Sequence, residues 1–192
     1  MIVYCATSNP GKLREFQLAA PDFDVRTLAT LAPIPEETGD TFEANAVEKA
    51  VAYGQRARGY LFADDSGLEV DALGGEPGVR SARYAGEHAT DAANNALLLE
   101  RLDGVENRTA RFVCVIALVL DGKLLKTFRG AVEGCIIDQA RGDGGFGYDP
   151  LFYCPAFGCT FGEATVQQKM QVSHRGQALA AMFTYLRNIA AI

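Results

Sequence analysis

Hydrophobic residues fall into short blocks divided by glycines and charged clusters, and strand-like and helix-like spacings alternate along the chain. Ile2 to Ala6 is a compact apolar strand. It leads through Thr7-Ser8-Asn9-Pro10-Gly11 into a helix expected from about Lys12 to Ala20, with Leu13, Phe16 and Leu18 facing the core. Thr41 is a suitable N-cap, and the stripe Phe42, Ala46, Val47, Ala50 and Val51 predicts a helix reaching about Arg58. Asn45 and Lys49 share a face beside that stripe. Tyr60 to Ala63 predicts a strand ending at the adjacent carboxylates Asp64 and Asp65, before Ser66 and Gly67. Leu68 to Val70 then reads as a short return strand.

From Asp71 to Tyr84, three glycines and a proline specify an irregular but ordered loop. Thr90 caps a helix expected to run to about Leu102, with Ala92, Ala96 and Leu99 apolar. Arg111 to Leu120 is almost continuously apolar, as in a central strand covered on both faces. Asp121-Gly122 is a hairpin turn, returning the chain as Lys123 to Ile137. A glycine-rich loop, Gly142 to Pro150, precedes another strand-like segment, Leu151 to Tyr153. Ser173 caps a closing helix with Ala178, Leu179, Met182, Phe183, Leu186 and Ile189 on its apolar face. The expected class is mixed α/β in a single domain over residues 1–192, with no linker, repeat or low-complexity tract.

Composition changes this picture little. At 48% hydrophobic and 22% charged the chain is an ordinary globular protein, and a net charge of −6 argues against broad nucleic-acid binding. No apolar run approaches the roughly 18 residues of a membrane span, and the start of the chain reads as a strand rather than a signal peptide. Five scattered cysteines without a CxxC pair predict core thiols, a reducing cytoplasmic compartment and no zinc site.

Candidate chemistry centres on Asp64 and Asp65. Adjacent carboxylates repel unless a cation or lysines neutralise them, and oxygen donors suit Mg²⁺. Taken alone, Asp-Asp-Ser-Gly reads first as a solvated turn, and the rest of the chain decides otherwise. The strand–turn–helix at Thr7 to Lys12 resembles a phosphate cradle, although the full P-loop pattern is absent and a plain helix cap explains it as well. Gly142 to Gly147 contains a formal GxGxxG, but it opens no helix, and a dinucleotide site is rejected. The loop suits a flat ligand, or a tight turn with Phe146 tucked inward. Arg175, in the first turn of the closing helix, opposes the helix dipole, which favours function over stability for it.

Taken in order, Thr7-Ser8-Asn9-Pro10-Gly11-Lys12 with Glu15, Glu37-Thr38-Gly39-Asp40-Thr41-Phe42, Ala63 to Leu73, Gly75 to Tyr84, Gly145-Phe146-Gly147-Tyr148-Asp149-Pro150 and Ser173-His174-Arg175 form an ordered set. In that set the chain resembles the inosine triphosphate pyrophosphatase family, from about Val3 to Leu186. The resemblance implies an elongated mixed sheet flanked by helices, two lobes around a central active-site cleft, Mg²⁺ dependence, a homodimer and a cytoplasmic enzyme. It also implies hydrolysis of ITP, dITP or XTP to the monophosphate and pyrophosphate, clearing non-standard purines from the nucleotide pool. By motif, Thr7, Ser8, Asn9, Lys12 and Lys49 would hold the triphosphate, with Ser66 a further substrate contact. Glu37 and Asp65 would bind the metal, with Asp64 in or beside that shell, and Asp65 would accept the proton of the attacking water. Phe146, Gly147, Tyr148, Asp149, Lys169, His174 and Arg175 would recognise base and sugar.

Three positions depart from the family pattern: Ser8 for a common glycine, Ala44 for a glutamate that would complete a capping box with Thr41, and Met170 for an asparagine. The alternatives are a related pyrophosphatase for other modified nucleotides, and a nucleotide-binding regulator without turnover. The intact carboxylates argue against the regulator. A Ser66–His174 hydrolase is less favoured, because no nucleophile elbow surrounds Ser66.

Overall fold

A computed structural model describes residues 1–28 and 38–190. Among the described residues seven strands form one sheet in the order β2-β1-β3-β4-β5-β6-β7. The strands are β1 (Ile2–Cys5), β2 (Asp24–Thr27), β3 (Tyr60–Val70), β4 (Thr109–Leu120), β5 (Lys123–Ile136), β6 (Phe152–Cys154) and β7 (Cys159–Thr160). The helices are α1 (Pro10–Ala19), α2 (Phe42–Gly54), α3 (Asp91–Arg101), α4 (Val166–Val172) and α5 (His174–Ala190). Strand β1 pairs in parallel with β2 and β3, whereas β6 pairs antiparallel with β5 and β7, so the sheet is mixed. Strands β4 and β5 are joined by Asp121 and Gly122, at φ 49° and 76°. Two consecutive left-handed residues suit the right-handed twist of a hairpin.

The chain divides into two compact units. Unit 1 comprises Met1–Asp65, Cys114–Gly130 and Arg175–Ile192, and unit 2 comprises Ser66–Val113 and Ala131–His174. Unit 1 has an aromatic core in which the Phe62 ring meets Phe16 edge-on at 5.0 Å and Phe183 at 6.3 Å. Unit 2 is built on Leu68, Val70, Leu98, Leu102, Phe112, Phe152 and Phe161, all buried.

Several expectations are corrected. Strand β3 does not stop at Asp64; it runs unbroken through Asp64, Asp65, Ser66 and Gly67, absorbing the separate return strand. Both carboxylates are buried and bonded to cationic or amide groups, so they need no solvated turn. Helix α2 ends at Gly54 rather than near Arg58; a Cβ at Gly54 would lie 2.7 Å from Val119 and 2.9 Å from Gly122. On α1, Leu18 faces outward and Glu15 is buried, because an arginine meets that carboxylate. On α3 the buried face carries Asn94 and Leu98, while Ala92 and Ala96 are exposed. Helix α4, not anticipated, starts at a capping box between Thr165 and Gln168.

Candidate active site

In unit 1, strand β3 and helices α1, α2 and α5 place charged side chains together in a largely buried setting. Asp64 accepts from Lys12 Nζ, whose nitrogen lies 3.1 Å from Oδ1 and 3.0 Å from Oδ2. Arg175 Nε donates to Asp64 Oδ2 at 3.4 Å, and Cys114 Sγ lies 4.0 Å from the same oxygen. Burial alone would raise the Asp64 pKa, but Lys12, Arg175 and Lys49 outweigh it and hold the carboxyl well below the usual range. The thiols of Cys5 and Cys114 are pushed up to about 12, first by burial and then by the Asp64 charge. They are inert core groups rather than nucleophiles.

Asp65 has its own partners. Asn45 Nδ2 donates to Asp65 Oδ2 at 3.0 Å, and Lys49 Nζ lies 3.8 Å from Oδ1. Asn45 is fixed in turn, since its Oδ1 accepts the Gly39 N–H at 2.8 Å. The spacing of Asn45 and Lys49, one helical turn apart, aims both at this carboxylate. Successive strand residues point to opposite faces. Asp64 bonds to Lys12 and Arg175, Asp65 to Asn45 and Lys49, and the Lys49 charge also acts on Asp64.

At the start of α1, Asn9 Oδ1 accepts the N–H groups of Gly11 at 2.8 Å and Lys12 at 3.2 Å, and Pro10 fills the first turn. These two amides are thereby capped internally, which is the plain helix cap that the segment also allowed. Thr7 Oγ1 accepts the Asn9 N–H at 3.1 Å, and Ser8 is exposed. Arg175 Nη1 donates to Glu15 Oε2 at 2.6 Å. Burial disfavours its charge, but Glu15 and Asp64 more than compensate and raise its pKa. Asn45 and Glu15 were not among the predicted site residues; their signals were the Asn45–Lys49 helical spacing and the place of Glu15 one turn beyond Lys12 in the family motif.

Among the described residues no group of three His, Cys, Asp or Glu side chains could hold a metal ion. Glu37 lies outside the described residues. Asp65 nonetheless fits Mg²⁺, which is commonly held by one or two carboxylates, with water and substrate phosphates completing its shell.

Unit 2 carries a second group. Asp149 Oδ2 accepts the Phe146 N–H at 2.9 Å and Lys169 Nζ at 2.6 Å. The same ammonium lies 4.8 Å from the centroid of the Phe146 ring and 5.5 Å from that of Phe161. Gly145 is required: its φ is 75°, and a Cβ there would lie 2.1 Å from Asp149 Oδ2. Tyr148 OH donates to the Ser81 carbonyl at 2.9 Å. The buried His174 ring stacks on Phe112 at 4.8 Å with a 13° interplanar angle. Ser66 stands on β3 directly after Asp65, half-buried.

Fold and charged groups define a mixed α/β protein with a buried carboxylate–lysine–arginine cluster and a separate aromatic–lysine loop. The Ham1 family model matches residues 3–185, and the chain belongs to that family. The chain is 51% identical over 188 residues to a dITP/XTP pyrophosphatase of Thermus thermophilus, covering 95% of this chain and 90% of the relative. It is 48% identical over 186 residues to a dITP/XTP pyrophosphatase of Geobacillus kaustophilus, covering 94% and 91%. Among solved structures, the Ham1 protein of Staphylococcus aureus superposes with a TM-score of 0.86 at 43% identity, covering 98% of this chain and 99% of that one. A HAM1 protein of Coxiella burnetii gives 0.87 at 40% identity with the same coverage.

Proposed function

We propose that this chain is a nucleoside triphosphate pyrophosphatase that hydrolyses dITP, XTP and ITP to the monophosphate and pyrophosphate, removing non-standard purines from the nucleotide pool. The observation that carries the reading is the buried Asp65, held by Asn45 at 3.0 Å and faced by Lys49 at 3.8 Å, in a chain of the Ham1 family. Hydrolysis at phosphorus needs charge neutralisation and an oriented water. Lys49 and Lys12 supply positive charge to the triphosphate, assisted by Thr7, Ser8 and Asn9. Asp65, its carboxylate fixed by Asn45, orients the attacking water and accepts its proton. Ser66 contacts the substrate beside it. Mg²⁺ bound by Asp65, with Glu37 as the further ligand that the motif implies, would neutralise charge on the phosphate oxygens. Asp64 acts as the anchor of Lys12 and Arg175 rather than as a metal ligand.

The base end belongs to Phe146, Gly147, Tyr148, Asp149, Lys169 and His174, with Arg175 as the remaining donor of the motif. Phe146 offers a face for stacking, which does not distinguish purines. The 6-oxo group of hypoxanthine and xanthine accepts hydrogen bonds, which suits donors such as Lys169 and His174. Adenine presents an amino group there and would leave a buried donor unpaired. A homodimer in the cytoplasm completes the proposal; among the described residues no helix is long and apolar enough to cross a membrane.

The test is incubation with XTP, ITP, dITP, ATP, GTP and dUTP plus Mg²⁺, with identification of products. Pyrophosphate and monophosphate in equal amounts from the 6-oxopurine substrates support the reading. Orthophosphate with a diphosphate, or no turnover, contradicts it. Preference for dUTP would favour the related enzyme of modified pyrimidines.

A further inference from the structure

Helix α3 presents Asp91 and Asn95, one turn apart, to a single residue of the glycine-rich loop. Asp91 Oδ2 accepts the Gly147 N–H at 2.7 Å, and Asn95 Nδ2 donates to the Gly147 carbonyl at 3.1 Å. Both backbone polar groups of one glycine are thus held by two side chains of one helix face. Gly147 follows Phe146 directly and has φ 63°, with no side chain through which the loop might otherwise be gripped. Among the described residues the buried Asn95 Oδ1 has no hydrogen-bond partner, a cost in stability that an apolar residue would avoid. Asp149 already ties the loop to itself through the Phe146 N–H at 2.9 Å. What the α3 pair adds is an external reference for the peptide that follows the aromatic ring.

We propose that Asp91 and Asn95 are positioning residues for base recognition: they fix the Gly147 peptide, and with it the direction of the Phe146 ring, without touching the nucleotide. The inference rests on the assignment of Phe146 to Asp149 to the base. An ionised carboxylate makes a strong, short bond to a backbone N–H, so Asp91 holds and Asn95 steers. Asp91 also lies in the first turn of α3, where any acid favours the helix dipole. The two roles differ in what an amide can replace. In Asp91→Asn the new Oδ1 still accepts the Gly147 N–H, but the charge is gone.

The test is steady-state kinetics on ITP with Asp91→Ala, Asp91→Asn, Asn95→Ala, Phe146→Ala and the double variant Asn95→Ala/Phe146→Ala. Asp91→Ala and Asn95→Ala should each raise KM about tenfold, the scale of one hydrogen bond involving a charged or buried group, with kcat within about twofold. Asp91→Asn should restore most of the affinity. In the Phe146→Ala background, Asn95→Ala should add nothing, because its effect passes through the ring. A wild-type KM in Asn95→Ala, alongside a raised KM in Phe146→Ala, overturns the inference and leaves the base assignment standing. An unchanged KM in Phe146→Ala overturns the base assignment itself. If Asp91→Asn is as impaired as Asp91→Ala, Asp91 serves the helix and not the loop. Should Asp91→Ala fail to fold, Asn95→Ala and the double variant still decide.

Discussion

Arg175 Nη1 lies 2.6 Å from Glu15 Oε2, a buried ion pair between residues 160 positions apart. It joins the first turn of α5 to α1, and the same guanidinium reaches Asp64 through Nε at 3.4 Å. A buried cation with one carboxylate removed is left undercompensated. Glu15→Ala should therefore destabilise the protein by about 3–5 kcal/mol, the usual consequence of breaking a buried pair from one side. Glu15→Gln, which keeps a hydrogen-bond acceptor, should lose less. Urea unfolding of the three proteins checks this, and a wild-type midpoint for Glu15→Ala would show that the pair is dispensable.

Asp64 makes a pH prediction for the metal-free protein. Lys12, Arg175 and Lys49 overcome its burial and depress its folded-state pKa. The unfolded chain then binds the proton more readily, so stability rises with pH across this window. The contribution is complete above the unfolded value of about 3.9 and is lost as pH falls from there toward the folded value. Stability followed by urea unfolding between pH 6 and the lowest pH at which the fold persists should fall more steeply for wild type than for Asp64→Asn. Parallel curves would remove Asp64 as the group responsible.

Gly145 yields a steric prediction. An alanine there would be strained at φ 75° and would drive its Cβ into the Asp149 carboxylate. Gly145→Ala should lose about 1–3 kcal/mol and raise KM for ITP through displacement of the Phe146 loop. Thermal unfolding with matched kinetics measures both; unchanged values would show that the loop accommodates the methyl group.

Much of this architecture was legible locally. The Asp121-Gly122 hairpin and the Asn9, Thr41 and Thr90 caps are short-range chemistry, and each forms as its residues dictate. The order of motifs also carried the family and the fold class. What escaped was set by distant partners. Asp64-Asp65-Ser66-Gly67 reads locally as a turn, yet Lys12, 52 positions away, and Arg175, 111 positions away, neutralise Asp64 and let the strand continue. The continuous strand turns Asp64 and Asp65 to opposite faces, so their different bonding partners could not be read from adjacency. Helical spacing places Asn45 on one face with Lys49, but its bond to Asp65 depends on α2 lying against β3. Leu18 looked like core and is 49% exposed, whereas Glu15 is buried by an arginine far along the chain.

Asn9 caps the Gly11 and Lys12 amides, and the Lys12 side chain bridges to Asp64; on the proposed function that side chain is the group of this segment that meets the triphosphate. Lys12→Met should raise KM for ITP by about tenfold or more, on the scale of a lost charge-assisted hydrogen bond. The effect of added salt on KM should shrink in the variant. Kinetics at two ionic strengths test this, and an unchanged KM would detach Lys12 from the triphosphate.

Asp65 carries the central claim, that a carboxylate fixed by Asn45 and faced by Lys49 drives hydrolysis. The most direct measurement is turnover of ITP by Asp65→Asn, paired with calorimetric binding of a non-hydrolysable ITP analogue. The account predicts a kcat reduced by about a hundredfold or more with measurable analogue binding. A variant that turns over ITP at a near-native rate would contradict it.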